Sequence, residues 1–445
     1  MTGEELYLHK DVFFKKTRHT VIIYNVYDYK NRIKMHIAAA RLLEAINGER
    51  TVSDIADFFI RQNCLLGDNT ITEPEAVLRY LASKSLLTTN KENGKLPQLE
   101  QKGPAMDIVN LRITNRCNFK CIHCFPDSSN AFEDELTYDE IVDIINELAR
   151  YKVLHITFTG GEPFLLKNFL DLVEMANSKG MIASICTNAS LIDDEQISRL
   201  AKCAIGALKI SMDGASEQTH DRYRGKGKFE KLVPKIRKIT AEGIPVCINT
   251  VISKINFHEY KDIIDFVQNL KVSEFAYDVV RKTGRALENW DDLGLSFDEC
   301  LECLSYYKSL HPRAGEVVMG SDIFPHILAD ILEEEYLKKA CGTCLSNIVI
   351  LANGDVAPCW RMVDNGKIAG NIKRNSLHEI WSGSELFKII RELDIGSIEK
   401  CKDCEYNVFC DASCRGFSMP LNNDWHGEPH PDKCRLYISL KKSFA

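Results

Sequence analysis

The sequence lacks the segments that direct a chain into or across a membrane. Its first residues, MTGEELYLHKDVFFKK, have neither the apolar core nor the small-residue cleavage site of a signal peptide, and no apolar stretch is long enough to span a bilayer. A long basic run is also absent and the net charge is -7, which argues against a surface built for nucleic-acid phosphates. We therefore expect a soluble, cytoplasmic protein that binds neither membrane nor nucleic acid.

The length and composition indicate several globular domains. At 445 residues the chain is too long for one compact core, and its 45% hydrophobic and 27% charged residues are an ordinary globular balance. No repeat of solenoid period and no low-complexity tract is present. We expect an N-terminal domain over 1–92, a linker over 93–106, a βα domain over 107–310, a bridging region over 311–340 and a cysteine-rich domain over 341–445.

The N-terminal pattern predicts a small winged-helix-like domain. Two β-rich runs around the polar YDYKNR, within residues 20–40, predict a hairpin. Helical apolar spacing follows over 39–48, 51–62 and 72–87, and the second and third of these helices open with capping threonines. The polar stretch that comes next, with Gly and Pro, indicates the linker.

From residue 107 onward, strand patterns alternate with amphipathic helices. Helices are indicated by the capping-box signature of Thr137 and Glu140 and by the apolar spacing of 229–243. The six strand candidates are DIVNLRIT (107–114), VLHITFT (153–159), MIASICT (181–187), ALKISMD (207–213), VCINTVI (246–252) and EFAYDVV (274–280). This alternation predicts an α/β fold with a parallel sheet, closed or partly closed into a barrel, and chemistry at the carboxyl ends of its strands.

Seventeen cysteines are many for a compartment in which thiols stay reduced, so their number points to metal. Eleven of them fall in two groups along the chain. The first group, C-x3-C-x2-C at Cys117, Cys121 and Cys124, follows the first strand on a predicted loop. Three thiolates can hold three irons of a 4Fe-4S cube and leave the fourth iron open to a ligand. A zinc site closed by His123 is the alternative.

The cysteine spacing, with the strands around it, resembles the radical SAM superfamily. The resemblance implies a partial (β/α)6 TIM-like barrel in which the open iron chelates S-adenosylmethionine (SAM) and reduces it, releasing a 5'-deoxyadenosyl radical that abstracts a substrate hydrogen. The SAM contacts that the resemblance implies are His123 for adenine, Gly160, Gly161, Glu162 and Pro163 of the TGGEP motif for the amino group, and Ser211 and Arg224 for the carboxylate and ribose. The residues themselves agree, since a glycine pair lets backbone approach a ligand and Glu162 can pair with an ammonium group.

Further polar residues stand at strand ends. Thr187 and Asn188 are candidate ribose contacts, with capping of the next helix as the alternative. Asp213 is a candidate cofactor contact, with a surface turn as the alternative.

The end of the sixth strand offers candidates for the substrate pocket. By position alone, Tyr277, Asp278 and Arg281 would line it. Two further cysteines, Cys186 and Cys247, lie in predicted core strands and are interpreted as small buried hydrophobes.

The second cysteine group fits either a zinc ribbon or iron-sulfur clusters. Eight cysteines exceed what one zinc ion needs, and a chain that delivers single electrons favours a redox metal. Their spacing, with Gly354 before the third, resembles the SPASM domain of radical SAM enzymes and implies two auxiliary clusters. The resemblance gives Cys341, Cys344, Cys359 and Cys414 to an inner cluster and Cys401, Cys404, Cys410 and Cys434 to an outer one. Family members vary at the position of Cys344, and some leave that iron open.

The front domain resembles the PqqD-like element that recognises the leader of a ribosomally made peptide. A structural or dimerising winged helix is the alternative. An exposed hairpin edge, with a groove beside the third helix, would accept the leader as an additional strand.

Together these resemblances imply a radical SAM maturase with three iron-sulfur clusters. Its partners would be a precursor peptide with a leader and a low-potential electron donor of the flavodoxin or ferredoxin type. The expected product is an intrapeptide crosslink, either a thioether or a carbon-carbon bond, with the auxiliary clusters accepting the electron left over. Sulfatase-maturing-type oxidation of a protein Cys or Ser and a non-catalytic iron-sulfur peptide-binding protein are the alternatives.

Overall fold

The computed structural model of the chain leaves a few segments undescribed. The described residues are 5–16, 20–27, 33–36, 43, 46, 48–61, 74–95, 106–128, 134–309, 318–320, 343–363, 365–393, 397–404 and 414–442. Two predicted cluster ligands, Cys341 and Cys410, and most of the predicted helix over 39–48 lie outside these residues.

The front part of the chain holds two small sheets and two described helices. Its elements are β1 (Tyr7–His9), β2 (Val12–Lys16), β3 (Thr20–Asn25), β4 (Ile33–His36), α1 (Val52–Arg61), α2 (Pro74–Ser83), β5 (Leu87–Thr88) and β6 (Gly94–Lys95). The antiparallel β3–β4 pair is the predicted hairpin, and α1 and α2 are the second and third predicted helices. Strands β1 and β2 are additional to the predicted elements. They give the sheet orders β5-β1-β6 and β2-β3-β4.

The front core forms where one face of each element is apolar. Leu8 of β1, Ile23 of β3, Ile55 of α1 and Leu78 of α2 are each fully buried in one cluster. Strand β6 pairs with β1, although its residues fall in the predicted linker. The front unit therefore includes the first residues of that linker.

A glycine lets the front unit pack against the barrel. The Tyr24 hydroxyl donates to the Gly180 carbonyl at 2.9 Å, and both atoms are buried. A Cβ on Gly180 would lie 2.2 Å from the Phe13 ring, and its φ of +87° is one that side chains rarely adopt. Val26 and Ile182 complete the apolar contact.

The central part is a run of parallel strands with helices between them. Its elements are β7 (Ile108–Thr114), α3 (Tyr138–Arg150), β8 (His155–Gly160), α4 (Phe169–Ser178), β9 (Ile182–Thr187), α5 (Asp194–Leu200), β10 (Ile205–Ser211), α6 (Glu217–Arg224), α7 (Lys228–Ala241), β11 (Val246–Ile252), α8 (Tyr260–Gln268), β12 (Glu274–Val279), α9 (Trp290–Leu293), α10 (Phe297–Ser309) and β13 (Val318–Gly320). Strands β7 to β12 confirm the six predicted strands, all parallel and in chain order. The capping box of Thr137 and Glu140 opens α3 as predicted.

Alternation along the strands sets the two faces of this sheet. Leu111 and Ile113 of β7 pack in the core beneath the helices. Ile141 and Ile145, four residues apart on one face of α3, belong to the same core cluster. The intervening Arg112 lines the interior cavity instead. The strand period thus separates a helix-covered face from the face that carries the polar residues.

The sheet continues beyond the six predicted strands on both sides. The last elements are β14 (Asn347–Ile350), β15 (Asp355–Ala357), α11 (Trp360–Val363), β16 (Gly370–Asn371), α12 (Leu377–Gly383), α13 (Glu385–Glu392), α14 (Arg415–Asn422) and α15 (Pro431–Lys442). Strand β13, from the predicted bridging region, pairs in parallel with β12, and β14 pairs in parallel with β7. The described residues therefore form one ten-stranded sheet that joins the barrel to the C-terminal part.

The entry to α3 also ties the C-terminal part to the barrel. The Leu136 N–H donates to the Ala352 carbonyl at 2.6 Å, and Lys373 Nζ lies 2.7 Å from Asp134 Oδ1.

Over the described stretches, no helix has the length and apolar character needed to cross a membrane.

Removing the Tyr24 hydroxyl should loosen the front unit. The Tyr24→Phe substitution leaves the buried Gly180 carbonyl without this donor, so the free energy of local opening should fall by about 1 kcal/mol. Amide hydrogen exchange of β2, β3 and β4 measures that opening. Tyr27→Phe is the control, because Tyr27 is 54% exposed, and equal protection in the two variants would contradict the role given to Tyr24.

Candidate functional site

A cavity of about 330 Å³ opens at the carboxyl ends of the barrel strands. Its wall includes all three thiols of the first cysteine group. Seven of the ten predicted SAM contacts also line it, namely His123, Gly160, Gly161, Thr187, Asn188, Ser211 and Arg224. Glu162, Pro163 and Asp213 are not among the lining residues. Most of the predicted contacts therefore line one cavity, and the other three lie outside its lining.

The cysteine loop after β7 presents its sulfurs to hydrogen-bond donors. Phe119 N–H donates to Cys117 Sγ at 3.4 Å, Ser128 N–H to Cys124 Sγ at 3.4 Å, and Arg224 Nη1 to Cys121 Sγ at 3.7 Å. Burial raises the pKa of Cys117 to about 11 and also raises that of Cys121. At neutral pH these thiols are therefore protonated until a metal displaces the proton.

A clamp from the segment after β12 fixes the same loop. Arg285 Nε donates to the Cys121 carbonyl at 2.8 Å, and the Arg285 N–H donates to the Cys124 carbonyl at 3.1 Å. Gly284, with φ +53°, passes so close that a Cβ there would lie 2.3 Å from the Phe125 carbonyl oxygen. No sequence motif marks either clamp residue, because the contact joins segments about 160 positions apart.

The glycine pair of TGGEP lets the end of β8 lie directly against the cysteine loop. A Cβ on Gly160 would be 2.4 Å from the Thr114 carbonyl oxygen, and one on Gly161 would be 2.0 Å from that of Arg116. The Gly161 N–H donates to the Thr114 carbonyl at 2.9 Å. No larger residue fits at either position without moving backbone, so the motif sets the shape of the loop as well as the cavity wall.

Glu162 supports two lining residues instead of reaching the cavity. Its carboxylate accepts hydrogen bonds from the Thr187 hydroxyl at 2.7 Å and from the Asn188 N–H at 2.8 Å. Burial raises its pKa, and these hydrogen bonds oppose that rise. The structure thus places Glu162 behind Thr187 and Asn188, whereas the sequence predicts that it meets an ammonium group directly.

Asp213 is a buried anchor and not the surface turn of the alternative interpretation. Its side chain is fully buried, and Oδ2 lies 2.6 Å from Arg224 Nε and 3.3 Å from His123 Nε2. The Val251 N–H donates to Oδ1 at 2.9 Å. Burial opposes ionisation, but Arg224, His123 and this N–H together hold the pKa of Asp213 below its ordinary value. Asp213 therefore positions two cavity residues without lining the cavity itself.

His123 enters the cavity wall as a neutral ring. Burial, only partly opposed by Asp213, lowers the pKa of His123 to about 4. Its edge packs against Tyr223 with ring centroids 4.9 Å apart. Among the described residues its Nδ1 has no hydrogen-bond partner. An orphaned buried nitrogen on a cavity wall fits a site that a polar ligand completes.

The cavity wall after β12 carries an ion pair and aromatic side chains. Asp278 and Arg281 line it and pair with each other, and Arg281 also lies over the Phe125 ring at 5.6 Å. Trp360 of α11 lines the same cavity. Tyr277 is buried in the barrel core and is not among the lining residues, so its predicted pocket role is wrong.

The two strand cysteines differ in position. Cys247 is fully buried, as predicted. Cys186 is only partly buried and lines the cavity beside Thr187, which the interpretation as a buried hydrophobe did not anticipate.

Two of the predicted inner auxiliary thiols lie at one end of the β14–β15 hairpin. The Cys344 N–H donates to the Asn347 carbonyl at 3.0 Å. Continued from the Val349–Ala357 pair, the antiparallel register places Cys359 opposite Asn347. Cys344 and Cys359 therefore lie at the same end of the hairpin.

Two arginines contact the residues that carry the inner thiols. The Arg361 side chain hydrogen-bonds Cys414, which directly precedes α14. Arg391 Nε donates to the Cys344 carbonyl at 2.7 Å while its guanidinium stacks on Trp381 at 4.3 Å. Cys344 itself is fully buried.

The predicted outer thiols approach one another as well. The Cys404 N–H donates to the Cys401 carbonyl at 3.1 Å. Burial, reinforced by neighbouring Cys434 and Cys404, raises the pKa of Cys401. Three of the four predicted outer ligands thus share one neighbourhood.

The described thiols are not arranged around a single metal ion. In the part of the chain that is described, no group of three or more His, Cys, Asp or Glu side chains is spaced to hold one metal ion. A cube differs from zinc because each of its ligands binds a different iron, so the thiolates stand further apart. The three thiols that line the cavity are the ligands that the first iron-sulfur cluster would take.

Adding one methyl group to Gly161 should disrupt the first cluster site. In Gly161→Ala the new Cβ meets the Arg116 carbonyl oxygen at 2.0 Å, so the cysteine loop must move. We expect a loss of about four irons per chain and of SAM binding, measured by iron analysis and equilibrium dialysis. Gly383→Ala is the matched control, since nothing lies within 4 Å of its Cβ. Full iron and unchanged SAM affinity in Gly161→Ala would contradict this account.

Family models match two stretches of the chain. The model of the Radical SAM superfamily matches residues 111–267, and that of the SPASM iron-sulfur cluster-binding domain matches residues 341–405. The first stretch contains the cysteine loop and most of the cavity lining, and the second contains the β14–β15 hairpin.

Named proteins and a solved structure are similar to this chain over most of its length. Fe-coproporphyrin III synthase of Methanosarcina barkeri is 32% identical over 388 residues, which cover 80% of this chain and 94% of that protein. Mycofactocin maturase MftC of Mycobacterium tuberculosis is 28% identical over 327 residues, covering 72% of this chain and 81% of that protein. The crystal structure of Streptococcus suis SuiB bound to precursor peptide SuiA superposes with a TM-score of 0.70 at 16% identity, covering 96% of this chain and 99% of SuiB. The chain is an enzyme that belongs to the radical SAM superfamily, which uses SAM and a 4Fe-4S cluster, and it carries a SPASM domain for additional iron-sulfur clusters.

Proposed function

We propose that this enzyme is a maturase of a ribosomally made peptide and that it closes a thioether or carbon-carbon crosslink within that peptide. The observation that carries the proposal is the extent of the likeness to SuiB, which includes nearly all of this chain and therefore the front unit as well as the barrel. SuiB was crystallised with a precursor peptide, and a second relative is named a maturase.

The front unit offers an edge for a leader peptide. Within the described residues, β4 pairs only with β3, so its outer edge presents backbone donors and acceptors. An extended peptide added there would gain main-chain hydrogen bonds, with selectivity from side-chain pockets. The contact between Tyr24 and Gly180 holds this sheet against the barrel, so a bound leader would keep the core peptide near the cavity at high effective concentration.

The cavity residues would divide the work of binding. When bound, SAM and its cluster supply the 5'-deoxyadenosyl radical that removes a hydrogen atom. Arg224, oriented by Asp213, would hold the SAM carboxylate, and Thr187 and Asn188, fixed by Glu162, would hold the ribose side. The His123 ring, kept neutral, would meet adenine.

The opposite wall would hold the peptide. The Asp278–Arg281 pair and the Trp360 ring line this wall and combine a fixed dipole with an apolar surface. We further propose that the enzyme works in the cytoplasm with a low-potential donor of the flavodoxin or ferredoxin type.

A second candidate function is modification of a tetrapyrrole. It is favoured by the 32% identity to a relative named Fe-coproporphyrin III synthase, and by the cavity lining, which includes Arg112, Arg224 and Arg281 but only one carboxylate, Asp278. A lining with this balance suits a substrate that carries carboxylates.

Iron analysis tests the cluster assignment on which either function depends. Anaerobically reconstituted wild type should hold about twelve irons per chain, and the variant with Cys117, Cys121 and Cys124 changed to Ala should hold about eight. EPR of the dithionite-reduced proteins identifies the clusters. Zinc in place of the remaining iron would remove the auxiliary clusters from the proposal.

Product mass separates the two functions. Reduced enzyme with SAM and leader-bearing candidate peptides should give peptides that have lost two hydrogens, together with 5'-deoxyadenosine. The same peptides without their leader should react more slowly, since the β4 edge then has nothing to bind. Turnover of a porphyrin precursor, followed by its visible absorption, with no change in any peptide would favour the second candidate.

A further inference from the structure

Arg361 stands at the junction between the cavity and the inner auxiliary thiols. It lies in α11, directly after Trp360, whose side chain lines the cavity. Its own side chain is not among the cavity-lining residues and hydrogen-bonds Cys414. One short helix thus presents adjacent residues to two different sites.

The backbone around Arg361 is held firmly. Asn365 Nδ2 donates to the Arg361 carbonyl at 2.8 Å and to the Gly416 carbonyl at 3.2 Å, which ties α11 to the first turn of α14. The two helices approach so closely that a Cβ on Gly416 would lie 2.8 Å from the Arg361 Cβ. The Arg361 backbone therefore cannot move away from α14 without disturbing both helices.

The Arg361 guanidinium interacts with groups that ionise to anions. Cys414, Cys359 and the Asp278 carboxylate, which lines the cavity, all interact electrostatically with it. Asp278 in turn pairs with Arg281. A continuous series of charges therefore runs from the cavity wall to the predicted inner cluster ligands.

The other arginines near the auxiliary thiols make different contacts. Arg391 donates to the Cys344 carbonyl, and Arg415 Nη2 donates to the carbonyls of Trp425 and Gly427 at 2.6 and 2.7 Å. These contacts shape the backbone, whereas Arg361 donates to a sulfur.

We propose that Arg361 is a positioning residue that holds Cys414, raises the reduction potential of the inner auxiliary cluster and couples that potential to the charge at Asp278. The inference rests on the proposed assignment of Cys359 and Cys414 as ligands of that cluster. Each one-electron reduction adds a negative charge to a cluster, and a cation that hydrogen-bonds a ligand sulfur stabilises the reduced form. The Asp278 carboxylate offsets part of that cation, so a substrate that binds Asp278 would change the potential as it arrives.

Redox titration of the full-length protein tests this coupling. The background is the reconstituted variant with Cys117, Cys121 and Cys124 changed to Ala, so that the EPR signals come from the auxiliary clusters alone. Dithionite is the reductant, and iron content is measured for every protein. We expect the midpoint of one auxiliary signal to shift to more negative potential in Arg361→Gln and by a smaller amount in Arg361→Lys, which keeps the charge without the planar fork.

Two further variants define the comparison. Asp278→Asn removes the opposing charge and should shift the midpoint of the same signal to less negative potential. When the protein already carries Arg361→Gln, adding Asp278→Asn should cause a smaller shift. Arg374→Gln is the control, because Arg374 is an exposed arginine of the same region, and it should leave both signals unchanged.

The outcomes are distinct. A wild-type midpoint in Arg361→Gln at full iron content would overturn the inference and leave the cluster assignment intact. If Arg361→Gln alone loses iron, the Arg361→Lys variant is the test. A more negative midpoint in Arg361→Lys supports the inference, and a wild-type midpoint overturns it. If both variants lose about four irons, Arg361 serves assembly and not potential, which also overturns the inference. Absence of auxiliary iron from the parent protein would instead reject the cluster assignment itself.

Discussion

Burying thiolate charge is the constraint to which the rest of this structure responds. A buried anion is strongly unfavourable unless a cation or hydrogen-bond donors accompany it. Arg224 meets that need at Cys121, and Arg361 meets it at Cys414. Each arginine then has an acidic neighbour of its own, Asp213 behind the first and Asp278 beside the second. Each site therefore has the same order of charge: a thiolate, then an arginine, then an aspartate.

Glycine provides the second part of the arrangement. The loop that carries the thiols can lie against the end of β8 only because Gly160 and Gly161 have no side chain, and Gly284 lets the Arg285 clamp close over the same loop. The glycine motif, which lines the cavity, thus also allows two backbone segments to pack in direct contact. The shape of the cavity depends on both roles.

Local patterns predict local features well. The six strands and the Thr137 capping box follow from periodicity and turn chemistry within short windows. Side-chain direction beyond a strand end does not, because it depends on which distant segment packs there. Glu162 and Asp213 turn inward to meet Asn188 and Val251, and Tyr277 joins the core instead of the cavity. For the same reason no pattern within the sequence brings Trp360 to the cavity or β14 to the edge of β7.

The place of β14 bears on how the chain is made. Strand β7 begins at residue 108, but its second neighbour in the sheet comes from residues 347–350, more than two hundred positions later. During synthesis the ribosome would have released the whole barrel before that neighbour appeared, leaving one edge of β7 with unpaired backbone groups. Closing so long a loop is slow, and an open edge is a template for aggregation. Late folding of the C-terminal part would then protect the nascent enzyme as well as build its auxiliary sites.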